Sequence, residues 1–288
     1  MQRLRLRSSC MRRTDRERTE GGILMKIGFI GLGNMAQAMI GGILKNGLAA
    51  PEEIYGSART AETEKRIKEC YGICVTGDNR KTAEEADIVV LAVKPQFFED
   101  VINQLRGIDF GKKTIVSIAP GKSLAWLEKA FGAELAFVRA MPNTPALVGE
   151  GCTAACFGSR VSETAKDAVI QMLGSFGKAF EVPERLMDVV PGVSGCAPAW
   201  VFMMIEAMAD GAVAEGMPRA QAYEFAAQGI LGSAKLLLET GKHPGELKDM
   251  VCSPAGSTIQ AVRVLEEKGF RGAVTDAVIA CIEKSRSL

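Results

Sequence analysis

At 288 residues, with 47% hydrophobic and 24% charged, the chain has apolar material for a sizeable core, in two domains or one large one. A net charge of +1 gives no electrostatic reason to expect a nucleic-acid or anionic-membrane partner. The richest apolar run, Ala197–Ala214, is interrupted by Glu206 and Asp210, so no membrane span is expected and the protein reads as soluble.

Residues 1–24, MQRLRLRSSCMRRTDRERTEGGIL, are rich in Arg and lack apolar periodicity, as in a disordered or non-native extension. Asp15, Glu17 and Glu20 argue against a transit peptide. Glu20-Gly21-Gly22 can be encoded by a purine-rich stretch of the kind that binds bacterial ribosomes, which makes Met25 the expected start. N-terminal sequencing of the native protein checks this.

Met25–Ala36, MKIGFIGLGNMA, sets up the first unit. Lys26–Ile30 reads as a buried strand that runs into Gly31-Leu32-Gly33-Asn34-Met35-Ala36 and then into a helix, Met35–Asn46, ended by Gly47. Strand, G-x-G-x-x-A and helix together form the dinucleotide-binding fingerprint. Gly31 permits the tight turn, Gly33 lets a pyrophosphate approach the backbone, and Ala36 keeps the helix close to the strand.

A second strand, Ile54–Ser57, follows. NAD-selective domains carry an Asp or Glu at its end for the ribose 2′-hydroxyl, whereas this chain has Ser57-Ala58-Arg59-Thr60. Two hydroxyls and a guanidinium suit a 2′-phosphate, so NADPH is favoured, with NADH possible. The structural alternative leaves Arg59 as a solvated residue opening a helix at Thr60–Tyr71.

Alternation continues with strands at Ile73–Val75, Ile88–Val93, Thr114–Ile118 and Leu135–Ala140, and helices at Asn79–Ala86, Phe97–Arg106 and Ser123–Phe131. Two further strands, Gly151–Cys156 and Ala179–Val182, flank a helix at Glu163–Phe176. The pattern predicts an α/β fold with an N-terminal Rossmann-type doubly wound, mostly parallel sheet over residues 25–183. Its strand-end loops, Lys94-Pro95, Ala119-Pro120-Gly121 and Met141–Pro145, are expected to share one crevice with the glycine loop.

From Glu184 onward the pattern is helical: Ala197–Glu215, Arg219–Thr240, Ser257–Glu267 and Phe270–Ser287, with Gly216-Met217-Pro218 as a clean break. These four segments predict an all-α domain over residues 184–288. The second is apolar over far more than one stripe, more than a small domain can bury alone, which predicts an intertwined homodimer; the plain alternative is an ordinary core helix.

Eight cysteines, at 10, 70, 74, 152, 156, 196, 252 and 281, include no C-x-x-C pair, and there is one histidine. No metal site or disulfide is expected; the thiols read as reduced, mostly small core residues in a cytoplasmic protein. His243, before Pro244, is expected to be structural or solvated. Cys196 lacks a histidine neighbour in sequence and reads as a small residue at a close helix contact.

Ser253-Pro254-Ala255-Gly256-Ser257-Thr258 is a small-residue turn leading into a helix. Backbone N–H groups and hydroxyls there can hold a carboxylate at the positive end of the helix. Plain N-capping by Ser253, Ser257 or Thr258 accounts for the same residues equally well.

Taken together, the glycine loop, Ala92-Val93-Lys94-Pro95, Met141-Pro142-Asn143-Thr144-Pro145, Ser194-Gly195-Cys196-Ala197-Pro198-Ala199 and His243-Pro244 through Thr258 resemble pyrroline-5-carboxylate reductase in order and spacing. The resemblance runs from Met25 nearly to the last residue. Its most specific part is Pro244–Glu266, which has no role in generic dinucleotide binding.

The family implies hydride transfer from NAD(P)H to the C=N carbon of 1-pyrroline-5-carboxylate, giving L-proline. By the resemblance, Thr258 is the catalytic proton donor, and Glu184, Asn143, Ser253, Gly256, Ser257 and Thr258 hold the substrate. On the cofactor side it assigns Gly31, Leu32, Gly33, Asn34, Met35, Ala36, Ser57, Arg59, Asn79, Ala92, Val93, Lys94 and Pro95. It also implies a homodimer with each active site between one Rossmann domain and the partner's helices, and in some members a ring of dimers.

The chain departs from the family pattern at Cys196 and Ala197, where many members have Ser and Gly, at Met250, where they have a polar residue, and at Ala255, often Gly. These departures touch fine substrate contacts. Two other classes compete. A β-hydroxyacid dehydrogenase would need a catalytic lysine, for which Lys235 in Gly232-Ser233-Ala234-Lys235 is the nearest imitation. A non-enzymatic NADP(H)-binding regulatory protein would have no use for the Pro254–Thr258 turn.

Overall fold

A computed structural model describes residues 25–287; the expectations for residues 1–24 lie outside the described residues. Strands β1 (Ile27–Ile30), β2 (Ile54–Ser57), β3 (Cys74–Thr76), β4 (Ile88–Leu91), β5 (Thr114–Ser117), β6 (Ala136–Met141), β7 (Gly151–Phe157) and β8 (Gly177–Glu181) form one sheet in the order β3-β2-β1-β4-β5-β6-β7-β8. All pairings are parallel except β6 with β7. Helices α1 (Asn34–Lys45), α2 (Ala61–Tyr71), α3 (Asn79–Glu85), α4 (Phe98–Leu105), α5 (Leu124–Phe131) and α6 (Glu163–Gly174) make the crossovers.

The doubly wound arrangement follows from strands that are apolar on both faces. In β1, Phe29 enters the core cluster with Met39, Ile40 and Ile43 of α1 and Val169, Met172 and Leu173 of α6, while the adjacent Ile30 enters the opposite cluster with Phe98, Ile102, Leu105 and Leu127. β4 divides the same way, Ile88 and Val90 against Val89 and Leu91. The strand order reverses between β1 and β4, and there the carboxyl ends part to form a crevice.

Element limits move by one or two residues from the sequence-based ones. β3 begins at Cys74, not Ile73, and β8 at Gly177, not Ala179, because pairing partners decide where a ladder starts.

Beyond β8 the described residues form helices joined by turns, with no strand: α7 (Ala197–Ala214), α8 (Arg219–Thr240), α9 (Pro244–Met250), α10 (Ser257–Glu267) and α11 (Phe270–Arg286). α9 is an addition, too short to show apolar periodicity. Pro244 opens it, and the His243 Nδ1 accepts a hydrogen bond from Gly245 N–H at 3.0 Å.

The thiol expectation is corrected here, and the apolar stretch at Ala197–Ala214 proves longer than it reads in the sequence. The π-helical turn Pro191–Gly195 runs straight into α7, so Pro191–Ala214 is a continuous 24-residue helical stretch, with a mean hydropathy of 1.3 over its best window. By length and composition alone it could cross a membrane, although Glu206 and Asp210 stand on it and Asp210 pairs with Arg219 of α8. The thiols are also not mostly core: Cys156 is buried, whereas Cys70, Cys74 and Cys196 are exposed. A small apolar residue needs no burial when it sits on a helix surface or an edge strand.

The helical part buries little of its own surface. On a single chain Phe202 is 63% exposed, Phe225 64% and Leu238 82%.

Candidate active site

The glycine loop occupies the crevice end of β1. Gly31 has φ +95°, and a Cβ there would lie 2.8 Å from both the Ala92 carbonyl oxygen and Val93 Cγ1, so the turn and the β4 end share one space. Its N–H donates to the Ser57 carbonyl at 3.1 Å and Ala92 N–H donates to the Ile30 carbonyl at 2.9 Å, locking the three strand ends together. Leu32 and Ala36 are buried and hold α1 against the sheet. Around Gly33 the reverse holds: nothing lies within 4 Å of where its Cβ would be. Gly33 caps α1 without a side chain, and Gly33 and Asn34 are exposed. Open space beside the uncapped N-terminus of a 12-residue helix fits a pyrophosphate.

At the end of β2 the hydroxyls of the expected 2′-phosphate set have partners within the fold. Ser57 is 1% exposed and its hydroxyl donates to Asn79 Oδ1 at 2.6 Å, while Asn79 Nδ2 donates to Gln104 Oε1 at 2.7 Å. The Thr60 hydroxyl accepts from Thr63 N–H at 3.3 Å as the cap of α2. Both hydroxyls are therefore used by the fold. Arg59 remains exposed with its guanidinium over the Phe97 ring, 4.7 Å from the centroid, an arrangement that holds a cation at the rim. Lys94 and Pro95 lie on the same rim, with Pro95 opening the turn that presents Phe97.

Asn143, after β6, is 7% exposed and bridges two segments. Its Nδ2 donates to the Ser194 carbonyl at 3.0 Å and its Oδ1 accepts from Cys152 N–H at 2.8 Å. Glu184 is likewise engaged: Oε1 accepts from Leu124 N–H at 2.7 Å, at the start of α5, and lies 3.8 Å from Arg139 Nη1. Arg139, only 3% exposed on β6, binds Asp188 at 2.6 Å and leaves its Nε without a partner. Burial, with the nearby Glu184 carboxylate adding to it, pushes the Cys156 thiol of β7 up to about 11. This ion-pair group was missed in the sequence. The one available signal was an Arg inside an otherwise apolar strand, Leu135-Ala136-Phe137-Val138-Arg139-Ala140-Met141.

The turn before α10 is set apart from all of these. Ser253, Ser257 and Thr258 are exposed, Gly256 caps α10 with no side-chain bond, and Gly256 N–H closes the turn on the Ser253 carbonyl at 3.0 Å. Capping by these hydroxyls, the structural alternative, is not made. Among the described residues, no hydrogen bond joins Ser253–Thr258 to the sheet. Ala255 holds the turn at φ 58°, a left-handed conformation that glycine adopts more readily. Lys235 is exposed on α8 and pairs within its helix with Glu239 at 3.6 Å. The structure thus collects the glycine loop, Ser57, Arg59, Asn79 and Ala92–Pro95 round one crevice, with Ser253–Thr258 outside it.

Two family models match the chain, one described as pyrroline-5-carboxylate reductase dimerisation over residues 184–288 and one as NADP oxidoreductase, coenzyme F420-dependent, over residues 26–121. The pyrroline-5-carboxylate reductase of Escherichia coli (strain K12) is 47% identical over 263 residues, covering 91% of this chain and 98% of that protein. A solved pyrroline-5-carboxylate reductase from Coxiella burnetii superposes with TM-score 0.86 at 32% identity, covering 92% of this chain and 98% of that one. The Plasmodium falciparum pyrroline carboxylate reductase with NADP bound gives TM-score 0.82 at 32% identity, covering 91% and 97%.

Proposed function

The chain belongs to the pyrroline-5-carboxylate reductase family, and from that premise we infer that it is an oxidoreductase reducing 1-pyrroline-5-carboxylate to L-proline with NADPH. When bound, the nicotinamide would supply a hydride to the C=N carbon, with a proton going to the ring nitrogen. A protonated imine is already electrophilic, so the chain's task is orientation more than strong acid or base chemistry. Gly31 and Gly33 shape the pyrophosphate seat, the first turn of α1 faces the phosphate charge, and Arg59 on its Phe97 platform meets the 2′-phosphate.

The observation that carries the substrate assignment is the exposed, side-chain-uncapped N-terminus of α10, where Gly256, Ser257 and Thr258 offer N–H and hydroxyl donors to a carboxylate. In this reading Thr258 is the donor to the ring nitrogen. Asn143 and Glu184 act by positioning, since their side chains already hold the Ser194 turn and the start of α5.

The family's dimerisation region covers α7 to α11, and a homodimer accounts for the apolar surface these helices leave open. We propose further that each site is shared: the crevice of one subunit faces the Ser253–Thr258 turn of the other. Mass measurement by light scattering distinguishes a dimer from the ring of dimers that the resemblance implies. A cytoplasmic location is proposed on the free thiols of the described residues.

The decisive assay follows NADPH oxidation with pyrroline-5-carboxylate and, in parallel, with β-keto acids; turnover with β-keto acids alone overturns the assignment. Thr258→Ala should lower kcat about 100-fold with NADPH affinity unchanged. A parallel fall in NADPH affinity would remove Thr258 from the substrate side. Mixed dimers of a Gly33 variant and Thr258→Ala regain activity if sites are shared, because one of the two sites is then intact; no recovery places each site within one chain.

A further inference from the structure

Cys196 and Cys281, 85 positions apart, bring their sulfur atoms to 3.0 Å. Cys196 follows the π-helical turn Pro191–Gly195 at the start of α7, and Cys281 stands on α11. The contact does not depend on two loose side chains. A Cβ at Gly192 would come within 2.7 Å of Ile282 Cγ1 and 3.0 Å of the Val278 carbonyl, so the backbone of the turn lies directly on α11. The Cys196 N–H donates to the Pro191 carbonyl at 2.8 Å, which fixes where that residue leaves the turn. The turn and α11 pack directly on each other, and the two thiols meet across them.

We propose that Cys196 and Cys281 form a reversible intrachain disulfide by exchange with a low-molecular-weight disulfide such as glutathione disulfide. The Cys196 thiolate attacks one glutathione sulfur, forming a mixed disulfide and releasing one glutathione thiolate. The Cys281 thiolate then attacks Cys196 Sγ and releases the second. The protein loses two electrons and two protons, and glutathione disulfide is reduced to two glutathiones. The order follows from access on the single chain: there Cys196 is exposed, whereas Cys281 is partly covered and its thiol is pushed up to about 11 by burial and by the neighbouring Cys196.

Closure has a structural consequence at the loop after β6. Ser194, in the same turn, accepts the hydrogen bond from Asn143, so the cross-link ties the loop after β6 to the last helix through the turn. A bridge across so long a segment restricts the unfolded chain strongly, which predicts a Tm rise of about 5–10 °C.

The test uses the full-length, fully reduced protein, incubated with graded ratios of glutathione disulfide to glutathione, alkylated and mapped by peptide mass. The expected result is one linked pair of peptides holding Cys196 and Cys281, lighter by two hydrogens, released by dithiothreitol, and accompanied by the Tm rise. Cys281→Ala should stay folded and active in reduced form but show neither the link nor the rise. A stable glutathione adduct on Cys196 without the link, a link between two chains on a non-reducing gel, or a link without a change in Tm each overturns the proposal.

Discussion

Gly31 and Gly33 stand two residues apart, yet the structure assigns them opposite vulnerabilities. Gly31→Ala forces an L residue to φ +95°, at about 1–2 kcal/mol, and puts a Cβ 2.8 Å from the Ala92 carbonyl, which adds about 1–3 kcal/mol of local shift. The sum, about 2–5 kcal/mol, corresponds to a Tm loss of about 5–15 °C. Gly33→Ala meets no atom within 4 Å, at φ −72° and ψ −175°, which alanine tolerates. The loss of a favourable helix-cap residue, about 1 kcal/mol, is offset by a similar entropic gain from removing a glycine. Stability should therefore change by less than about 1 kcal/mol. The methyl group would occupy the pyrophosphate seat, and an overpacking cost of about 1–3 kcal/mol weakens NADPH about 5- to 150-fold. Thermal denaturation of the cofactor-free chains and titration calorimetry with NADPH separate the two effects. If Gly33→Ala binds NADPH as tightly as the parent chain, the seat is elsewhere; an unchanged Tm in Gly31→Ala would refute the steric account of the turn.

Arg59→Ala should weaken NADPH about tenfold while leaving NADH nearly unchanged, because only the 2′-phosphate meets the guanidinium; equal losses in a titration with both cofactors would refute the contact. Asp188→Ala leaves the buried Arg139 with Glu184, 3.8 Å away, as its remaining carboxylate and should cost up to about 3 kcal/mol in urea unfolding, most of it recovered in an Arg139→Met/Asp188→Leu double variant. Cys156 predicts an alkaline slope. Its thiol keeps its proton in the fold up to about 11 while the unfolded chain ionises near 9.0, so stability complete below pH 9 declines as pH rises towards 11, by up to about 3 kcal/mol. In Cys156→Ala the Cys156 share of that slope disappears; an identical slope in both chains would show that the thiol does not ionise on unfolding.

The strand–loop–helix order around Gly31–Ala36 and the two-faced apolar strands were legible in the residues because both are local: a turn selects glycine by sterics, and a strand buried on both sides must be apolar throughout. The four long helices from Ala197 onward, with their excess of apolar surface, were legible for the same reason, though the short α9 was not. What each polar side chain does was not legible. Ser57 reads equally well as a phosphate donor or a buried hydroxyl until Asn79 is seen beside it. Asn143 and Glu184 reach the candidate site by resemblance, but only their partners, Ser194 and Leu124, show that both are held as braces.

By itself the sequence determined the α/β order and the dinucleotide turn, since neighbouring residues settle both; for Gly256–Thr258 it offered carboxylate binding and helix capping equally. Only the tertiary structure decided that Arg139 is neutralised by Asp188, 49 positions away, and that Cys196 meets Cys281, 85 positions away. Hydrogen bonds and thiol contacts act over a few ångströms, and which distant residues come that close depends on how helices and strands pack.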